Sequence, residues 1–392
     1  DEMYVLTVVN DYKELFSVKI RATDIVRNLV EYKFLENKDD QYRFKYNYMY
    51  YYFAGSYIEH KLPPEEKEHV VEEIFDNLCD DINYNIALFL SYSSNKEYII
   101  MPLVKATSKE LLAEFADFNY DSMKKMMEEW RTSIDKQVER IYEIPENTNI
   151  PIMREQKMKA LEEKEVSVNK TDEDVRKSNG DVIKLARHID FVGNMLKNYS
   201  GEMSNEFRQE SIEFIFDAAN KIIGSFCSFS KYMVERLIDL IEIKIEEGDE
   251  KYIKAKSEFP QVIRYLFSEI LQEFIGENIS WIANDLSCDI IKPNIDVYTD
   301  NNSKDLVRMT RLEYLLRISQ TKLPVDDIKQ LFEGKNALDA FSQSIMKNNI
   351  SRFLVNYQFD RNDKKKVCSI LKFNIKDVLV EENKFMAIAQ KN

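Results

Sequence analysis

Residues 22–58 read ATDIVRNLVEYKFLENKDDQYRFKYNYMYYYFAGSYI, and this stretch decides how the first part of the chain folds. Residues 22–32 carry apolar side chains three and four positions apart, which is the spacing of one helix face. Thr23 is a candidate N-cap, because its hydroxyl can accept a hydrogen bond from a backbone N–H of the first turn. These residues therefore predict an amphipathic helix.

Two short strands are predicted directly after this helix. Residues 33–35 and 42–44 are rich in aromatic side chains, and the polar residues 36–40 between them supply a turn. A helix followed by a strand, a turn and a second strand is the way a winged helix ends. We therefore predict a small winged-helix domain over residues 1–60.

The next segment, residues 46–58, is aromatic almost all the way around a helix. Such a helix is expected to be covered on most sides by other structure. Packing in a core or between domains is the favoured interpretation, because Met49, Ala54 and Ile58 interleave with the rings. Stacking of single-stranded nucleic-acid bases on these rings is the alternative.

Glycine and proline are scarce in the chain as a whole, each occurring only 8 times in 392 residues. This scarcity favours long helices over the turn-rich sandwiches and barrels of all-β proteins. No fixed-period repeat is visible, so a regular helical repeat array is not supported. The predicted fold class is mainly α, with a small winged-helix domain followed by an irregular α-helical array.

The residue patterns divide the remainder of the chain into three segments. Residues 61–143 predict a helical domain. Residues 144–180 lose their apolar periodicity and predict a charged linker or an exposed helical excursion. Residues 181–392 predict a C-terminal helical domain with a sensor role.

Most patterns in this C-terminal segment are helical. Residues 212–226 and 233–245 form two separate amphipathic patterns, and Gly248 is a natural C-cap for the second. Residues 288–302 predict a β-like or irregular patch. Further helices are predicted over residues 306–319, 325–332, 337–348 and 361–371.

The formal net charge of −14 makes the molecule as a whole repel nucleic acid and anionic membrane surfaces. The uncharged stretches 46–58 and 83–95 are shorter than the roughly 20 apolar residues that a membrane-spanning helix needs. The chain carries no signal-peptide pattern and opens at Asp1 rather than Met. We therefore expect a cytoplasmic protein, seen as a piece of a longer chain.

The four cysteines are far apart and show no metal-ligand or redox spacing. Each lies among apolar or amphipathic residues, so buried thiols in a reducing compartment are expected. They are Cys79, Cys227, Cys288 and Cys368.

The chain carries no fingerprint of catalysis. Its three histidines, His60, His69 and His188, have no nucleophile motif beside them, and His188 is interpreted as an ordinary helix-surface or boundary residue. Phosphate-binding loops, dinucleotide-binding motifs and zinc spacing are missing from the sequence. We therefore predict no catalytic residue, no metal site and no bound cofactor in this chain.

Paired acidic residues occur at three places in the chain. Metal binding or acid–base chemistry would need further partners, whereas helix capping and solvation explain each pair without any. The pairs are Asp80–Asp81, Glu246–Glu247 and Asp326–Asp327.

A winged helix raises the alternative of DNA binding, because that fold often places a helix in the major groove. The candidate recognition helix offers Arg27 and Asn28, but it also carries Asp24 and Glu31. The wing adds further acidic residues, which repel the phosphate backbone. DNA binding is therefore the weaker interpretation, and a continuous basic face would be needed to favour it.

Three parts of the chain resemble bacterial STAND NTPases, which are NLR-like P-loop ATPases with many domains. Residues 42–58 (YRFKYNYMYYYFAGSYI), preceded by residues 24–31 (DIVRNLVE), resemble the winged-helix end of such a protein. Residues 189–201 (IDFVGNMLKNYSG) and 361–371 (RNDKKKVCSIL) resemble segments of its helical C-terminal part. The first block is the most specific, and none of the three is a catalytic fingerprint.

The resemblance implies a bacterial antiphage-defence protein. In that family an N-terminal effector (TIR, SIR2, nuclease or phosphoesterase-like) precedes the nucleotide-binding domain, and the helical C-terminal region senses a phage component. The parent protein would bind ADP or ATP and oligomerise on activation. The winged helix closes over ADP in the resting state, and a histidine after the Phe of the wing often touches the nucleotide. Here Tyr46, after Phe44, stands at that position, which makes Tyr46 the one candidate cofactor-binding residue.

The lead hypothesis is a regulatory and sensor module. Its partners would be its own ATPase and effector domains and a protein ligand, a phage component, with no membrane partner. One alternative is a scaffold or oligomerisation module that recognises no foreign ligand, which a large two-fold hydrophobic patch would favour. The other is the DNA-binding regulator.

Overall fold

The structure, a computed structural model, describes residues 2–17, 19–38, 41–93, 109, 112–113, 115, 118–132, 173–246, 259–319, 321–374 and 378. Across these ranges the chain is mainly α-helical, and its strands form one small two-stranded sheet. This confirms the predicted fold class. The chain divides into two compact units, Asp1–Glu110 and Leu111–Asn392.

The four-segment division made from sequence stays a prediction. Of the predicted linker, residues 144–172 lie outside the described residues, and residues 173–180 are helical.

The first unit begins as a winged-helix-like arrangement and continues with three helices. The elements are α1 (Glu2–Phe16), α2 (Ala22–Glu31), β1 (Leu35–Lys38), β2 (Gln41–Phe44), α3 (Asn47–Lys61), α4 (Pro64–Asp76) and α5 (Asp81–Ser93). The two strands are antiparallel, with Leu35 opposite Phe44 and Lys38 opposite Gln41. Helix α1 packs against α2, and β1 and β2 contact α2 and α3 respectively.

The first strand begins two residues later than predicted, because residues 33 and 34 are used to end α2. Lys33 has a φ of 62°, in the left-handed region. The N–H of Phe34 donates to the carbonyl of Leu29 at 2.9 Å, and the N–H of Lys33 donates to that of Val30 at 3.0 Å. These bonds satisfy the last carbonyls of α2 in the pattern of a Schellman motif.

Helix α3 approaches α5 at a glycine. A Cβ atom placed on Gly55 would lie 2.9 Å from the backbone nitrogen of Leu90 and 3.2 Å from the carbonyl carbon of Phe89. Backbone atoms cannot rotate away, so only glycine allows the two helices to come this close. The core of the unit lies beside this contact and includes Val71, Phe75, Leu78, Ala87 and Leu90.

The second unit is an irregular array of helices. Its described helices are α6 (Tyr120–Thr132), α7 (Glu173–Tyr199), α8 (Asn205–Glu246), α9 (Phe259–Asp285), α10 (Lys292–Asn301), α11 (Asp305–Ile318), α12 (Val325–Glu333), α13 (Ala340–Asn356) and α14 (Arg361–Leu371), with short 3₁₀ turns at Ser200–Glu202 and Asp289–Ile291. Helix α9 packs against α6, α7, α8, α11 and α13. Its side chains Leu271, Ile275 and Ile279 are fully buried, so α9 forms the centre of this core.

Two predictions for this unit are wrong. The patterns at 212–226 and 233–245 belong to the single helix α8, in which Gly224 does not break the helix but lets Phe118 pack against it: a Cβ there would lie 2.7 Å from the Cβ of Phe118. Gly248 lies outside the described residues.

Residues 288–302, predicted as a β-like or irregular patch, are mostly helical. Pro293 is compatible with this helix because it occupies the first turn of α10, where its missing N–H costs no hydrogen bond.

Candidate functional site

Tyr46 lies between the wing and α3. It follows β2, occupies the N-cap position of α3 and has extended backbone angles, φ −126° and ψ 132°. Its side chain is exposed, and its ring stacks on that of Tyr48 with centroids 5.6 Å apart and planes 16° apart. The residue chosen from the sequence thus lies in the open, at the base of the wing, with a second ring beside it.

Tyr46 and five aromatic side chains of α3 are exposed, between 45% and 58% of their surface. We call them the aromatic surface: Tyr46, Tyr48, Tyr50, Tyr52, Phe53 and Tyr57. The prediction that residues 46–58 are covered on most sides is therefore wrong for these residues. Helix α3 buries only a narrow strip, in which Gly55 and Ile58 are the fully buried members.

Ring contacts connect the aromatic surface to the wing. The Phe44 ring of β2 stacks on Phe53, with centroids 5.5 Å apart, and lies 6.4 Å from the ring of Tyr50. On the other flank Tyr52 meets Phe89 of α5 edge to face at 6.2 Å. Aromatic pairs of this kind stabilise each other, so Tyr50, Tyr52 and Phe53 pack through Phe44 and Phe89 while keeping exposed apolar area. Such an exposed apolar area suits contact with another protein surface.

The sequence indicated Tyr46 alone and missed the rest of this surface. The signal was present, since Tyr50, Phe53 and Tyr57 follow one another at three- and four-residue spacing and so share one helix face. The pattern could not show that this face is exposed, because that depends on which strip of α3 meets α5.

The wing pairs its acidic residue Glu36 with two neighbouring basic residues. Glu36 of β1 accepts hydrogen bonds from Arg43 Nε at 2.6 Å and from Lys45 Nζ at 3.0 Å. These two bonds, the one from Lys45 first, hold the pKa of the Glu36 carboxyl below its usual value, so it stays ionised beside the two cations. One of the two positive charges is therefore neutralised, which weakens the wing as a phosphate-binding element.

The arginines of α2 are also engaged. Asp24 pairs with Arg21 at 2.9 Å and with Arg27 at 3.0 Å, and the half-buried carboxylate lies between two exposed arginines at the start of α2. A carboxylate between two arginines interrupts the continuous basic face that DNA binding would need. The geometry thus weighs against the DNA alternative.

The histidines lie on three different helices. His60 and His69 are exposed on α3 and α4, whereas His188 is fully buried in α7. The Nδ1 atom of His188 lies 2.8 Å from the carbonyl oxygen of Lys184. The expectation of a surface or boundary position for His188 is therefore wrong, because the buried face of α7 extends to include it.

The cysteines follow their prediction only in part. Cys227 and Cys368 are buried, and burial raises the pKa of both thiols, that of Cys227 to about 12. Cys288 is half-buried and Cys79 is exposed, so the expectation of burial is wrong for Cys79. The neighbouring Leu78 takes the buried position at the end of α4.

Capping explains one acidic pair and ion pairing another. Asp80 Oδ1 accepts from the backbone N–H groups of Ile82 and Asn83 at 2.9 and 3.0 Å, which caps α5. Asp327 pairs with Arg311 at 2.7 Å. The side chains of the pair Glu246–Glu247 lie outside the described residues.

The described part of the chain holds no group of three or more His, Cys, Asp or Glu side chains placed to bind a metal ion. In the same residues we find no helix with both the length and the apolar character needed to cross a membrane.

A family model described as Novel STAND NTPase 4 (nSTAND_NTPase4) matches residues 1–54. The matched residues contain α1, α2, the wing and the first half of α3, and so include Tyr46. This match supports a relation to STAND NTPases. No curated protein and no solved structure matches the chain.

Proposed function

We propose that the chain is the regulatory and ligand-sensing module of a STAND-type antiphage-defence ATPase in the bacterial cytoplasm. In this proposal the winged-helix-like part latches the nucleotide-binding domain in its resting state. The helical array over residues 181–392 recognises a protein ligand, a phage component. Activation then brings copies of the parent protein together.

The observation that carries the proposal is the family match to residues 1–54, which includes every residue of the aromatic surface except Tyr57. A regulatory contact needs a surface that is stable when uncovered and that binds a neighbouring domain reversibly. Rings held by one another satisfy the first need, and their exposed apolar area with peripheral hydroxyls satisfies the second. Tyr46 is the residue we propose to lie against the nucleotide.

We also propose that this chain does not hydrolyse ATP and holds no cofactor by itself. Its sequence lacks a loop of backbone N–H groups at a helix N-terminus that could cradle phosphate. ADP or ATP would then bind in the nucleotide-binding domain of the parent protein.

The alternatives have less support. The Asp24 ion pairs with Arg21 and Arg27 weigh against a DNA-binding regulator. The hypothesis of a scaffold that recognises no foreign ligand does not account for the family match to residues 1–54.

A deletion in the parent protein tests the proposal. Helix α6 shares the core of α9, since Met123, Met127 and Trp130 lie in it, so a cut at residue 181 would expose apolar surface. The whole second unit, residues 111–392, should therefore be removed. We expect the truncated protein to bind nucleotide as before but to lose its response to phage infection, while the chain alone gives no ATP turnover. A truncated protein that still responds would place sensing elsewhere and favour the scaffold.

A further inference from the structure

A buried carboxyl group near the end of α9 packs directly against the backbone of α7. Asp285 is only 5% exposed. A Cβ atom placed on Gly193 of α7 would lie 2.6 Å from the Cβ of Asp285, closer than two such atoms can come. The glycine therefore brings the carboxyl of one helix onto the other, away from water.

The oxygens of this carboxyl are poorly satisfied. Lys197 Nζ of α7 lies 3.4 Å from Asp285 Oδ1, which is at the long end for an ion pair with hydrogen bonding. Asp285 Oδ2 is enclosed and has no hydrogen-bond partner among the described residues. An ionised carboxylate left in this state would carry a large desolvation penalty.

A second carboxyl faces it from α7. The half-buried Asp190 accepts a hydrogen bond at Oδ1 from Trp281 Nε1 at 2.8 Å. Trp281 lies four residues before Asp285 on α9, so this bond holds Asp190 beside the turn that carries Asp285. Burial first, and then the negative charge of Asp190, raise the pKa of Asp285 to about 7, against the opposing charge of Lys197. Asp190 and Lys197, both on α7, are the charged groups that act on it, since Arg317 of α11 reaches α9 at Asn284 and Ser280 instead.

We propose that Asp190 and Asp285 share one proton that holds α7 against α9, and that loss of this proton above neutral pH weakens the contact. One lysine balances one carboxylate. Asp285 is buried while Asp190 is half-buried, so the shared proton is kept on Asp285, which donates its O–H to Asp190. The proposal concerns the packing of the second unit and does not depend on the proposed function.

The sign of the pH dependence follows from the direction of the shift. The folded-state pKa of Asp285 is raised above the ordinary value of 3.8, so the folded chain keeps a proton that the unfolded chain releases. This stabilisation is fully present below about pH 3.8 and is lost as the pH rises through about 7.

Thermal melting of the full chain and two substitutions test the proposal. In Asp285→Asn the side chain resembles the neutral acid, so its melting temperature should lie close to wild type at about pH 4 and exceed it at about pH 8. Asp190→Asn should behave alike, because its amide N–H can donate to Asp285 in place of the shared proton. Asp300→Asn, a control substitution at an exposed position on α10, should differ from wild type in melting temperature by the same amount at both pH values.

A direct measurement distinguishes the proposal from a plain ion pair. Carbon-13 NMR of the side-chain carboxyls should give Asp285 an apparent pKa near 7 in the wild type. The value should fall in Asp190→Asn. Titration of Asp285 near the ordinary Asp value of about 4 would overturn the proposal. So would an Asp285→Asn variant that is destabilised equally at both pH values, since Asp285 would then be ionised and held by Lys197.

Discussion

At the residue scale, two phenylalanines of the first unit have opposite surroundings. Phe53 on α3 is 46% exposed, while Phe75 on α4 is 1% exposed. Sequence reasoning placed the rings of residues 46–58, Phe53 among them, in a core or between domains, because rings surround α3 on nearly every side. What decides its exposure is the close approach of α5 at Gly55, which selects one strip of α3 for burial. That approach is a tertiary contact, and no pattern within residues 46–58 encodes it.

This difference in burial predicts that replacing each phenylalanine by alanine lowers the free energy of unfolding by a different amount. Phe75→Ala should lower the free energy of unfolding by about 3–5 kcal/mol, because it leaves a cavity in the core. Phe53→Ala should cost about 1–2 kcal/mol, since its stacking on Phe44 is lost but no closed cavity forms. Chemical denaturation of the two variants measures both values. Equal losses would show that Phe53 is a core residue after all.

At the element scale, the sequence placed helix starts better than caps or extents: α2 begins at Ala22 as predicted, but Arg21, with no side-chain cap hydrogen bond, holds the N-cap position that was assigned to Thr23. The helix predicted over residues 361–371 is observed with those bounds, because Asp360 is a strong N-cap directly before it. The two patterns in α8 were separated between residues 226 and 233, yet the helix continues through this gap and through Gly224 inside the first pattern. Whether a glycine ends a helix or admits a neighbour depends on the partner, here Phe118, which is distant in sequence.

Capping at Asp360 gives a prediction with a matched control. Its Oδ1 accepts from the N–H groups of Asn362 and Asp363 at 2.8 and 3.1 Å. Asp360→Ala should lower the free energy of unfolding by about 1 kcal/mol, whereas Asp360→Asn should stay within a few tenths, since asparagine caps equally well. If asparagine proved as costly as alanine, the charge of Asp360 rather than its cap would be responsible.

At the scale of the whole molecule, composition was enough to predict a mainly α fold, because the scarcity of glycine and proline acts on every element at once. The candidate site was predicted only at one point, Tyr46, through a family resemblance; a match of residues 1–54 to a STAND NTPase model agrees with that relation. The extent of the aromatic surface follows from helix packing, which the sequence does not display. The aromatic surface is therefore a property of the folded unit rather than of one helix.

The latch is tested most directly by basal ATP hydrolysis of the parent protein, measured without a trigger, in wild type and in Tyr46→Ala. An aromatic contact contributes about 1 kcal/mol, so losing it from the resting state should raise the untriggered rate about fivefold. Tyr232→Ala removes another exposed ring, from α8, and should leave the rate unchanged. A folded Tyr46→Ala protein that hydrolyses ATP at the wild-type rate would contradict the account.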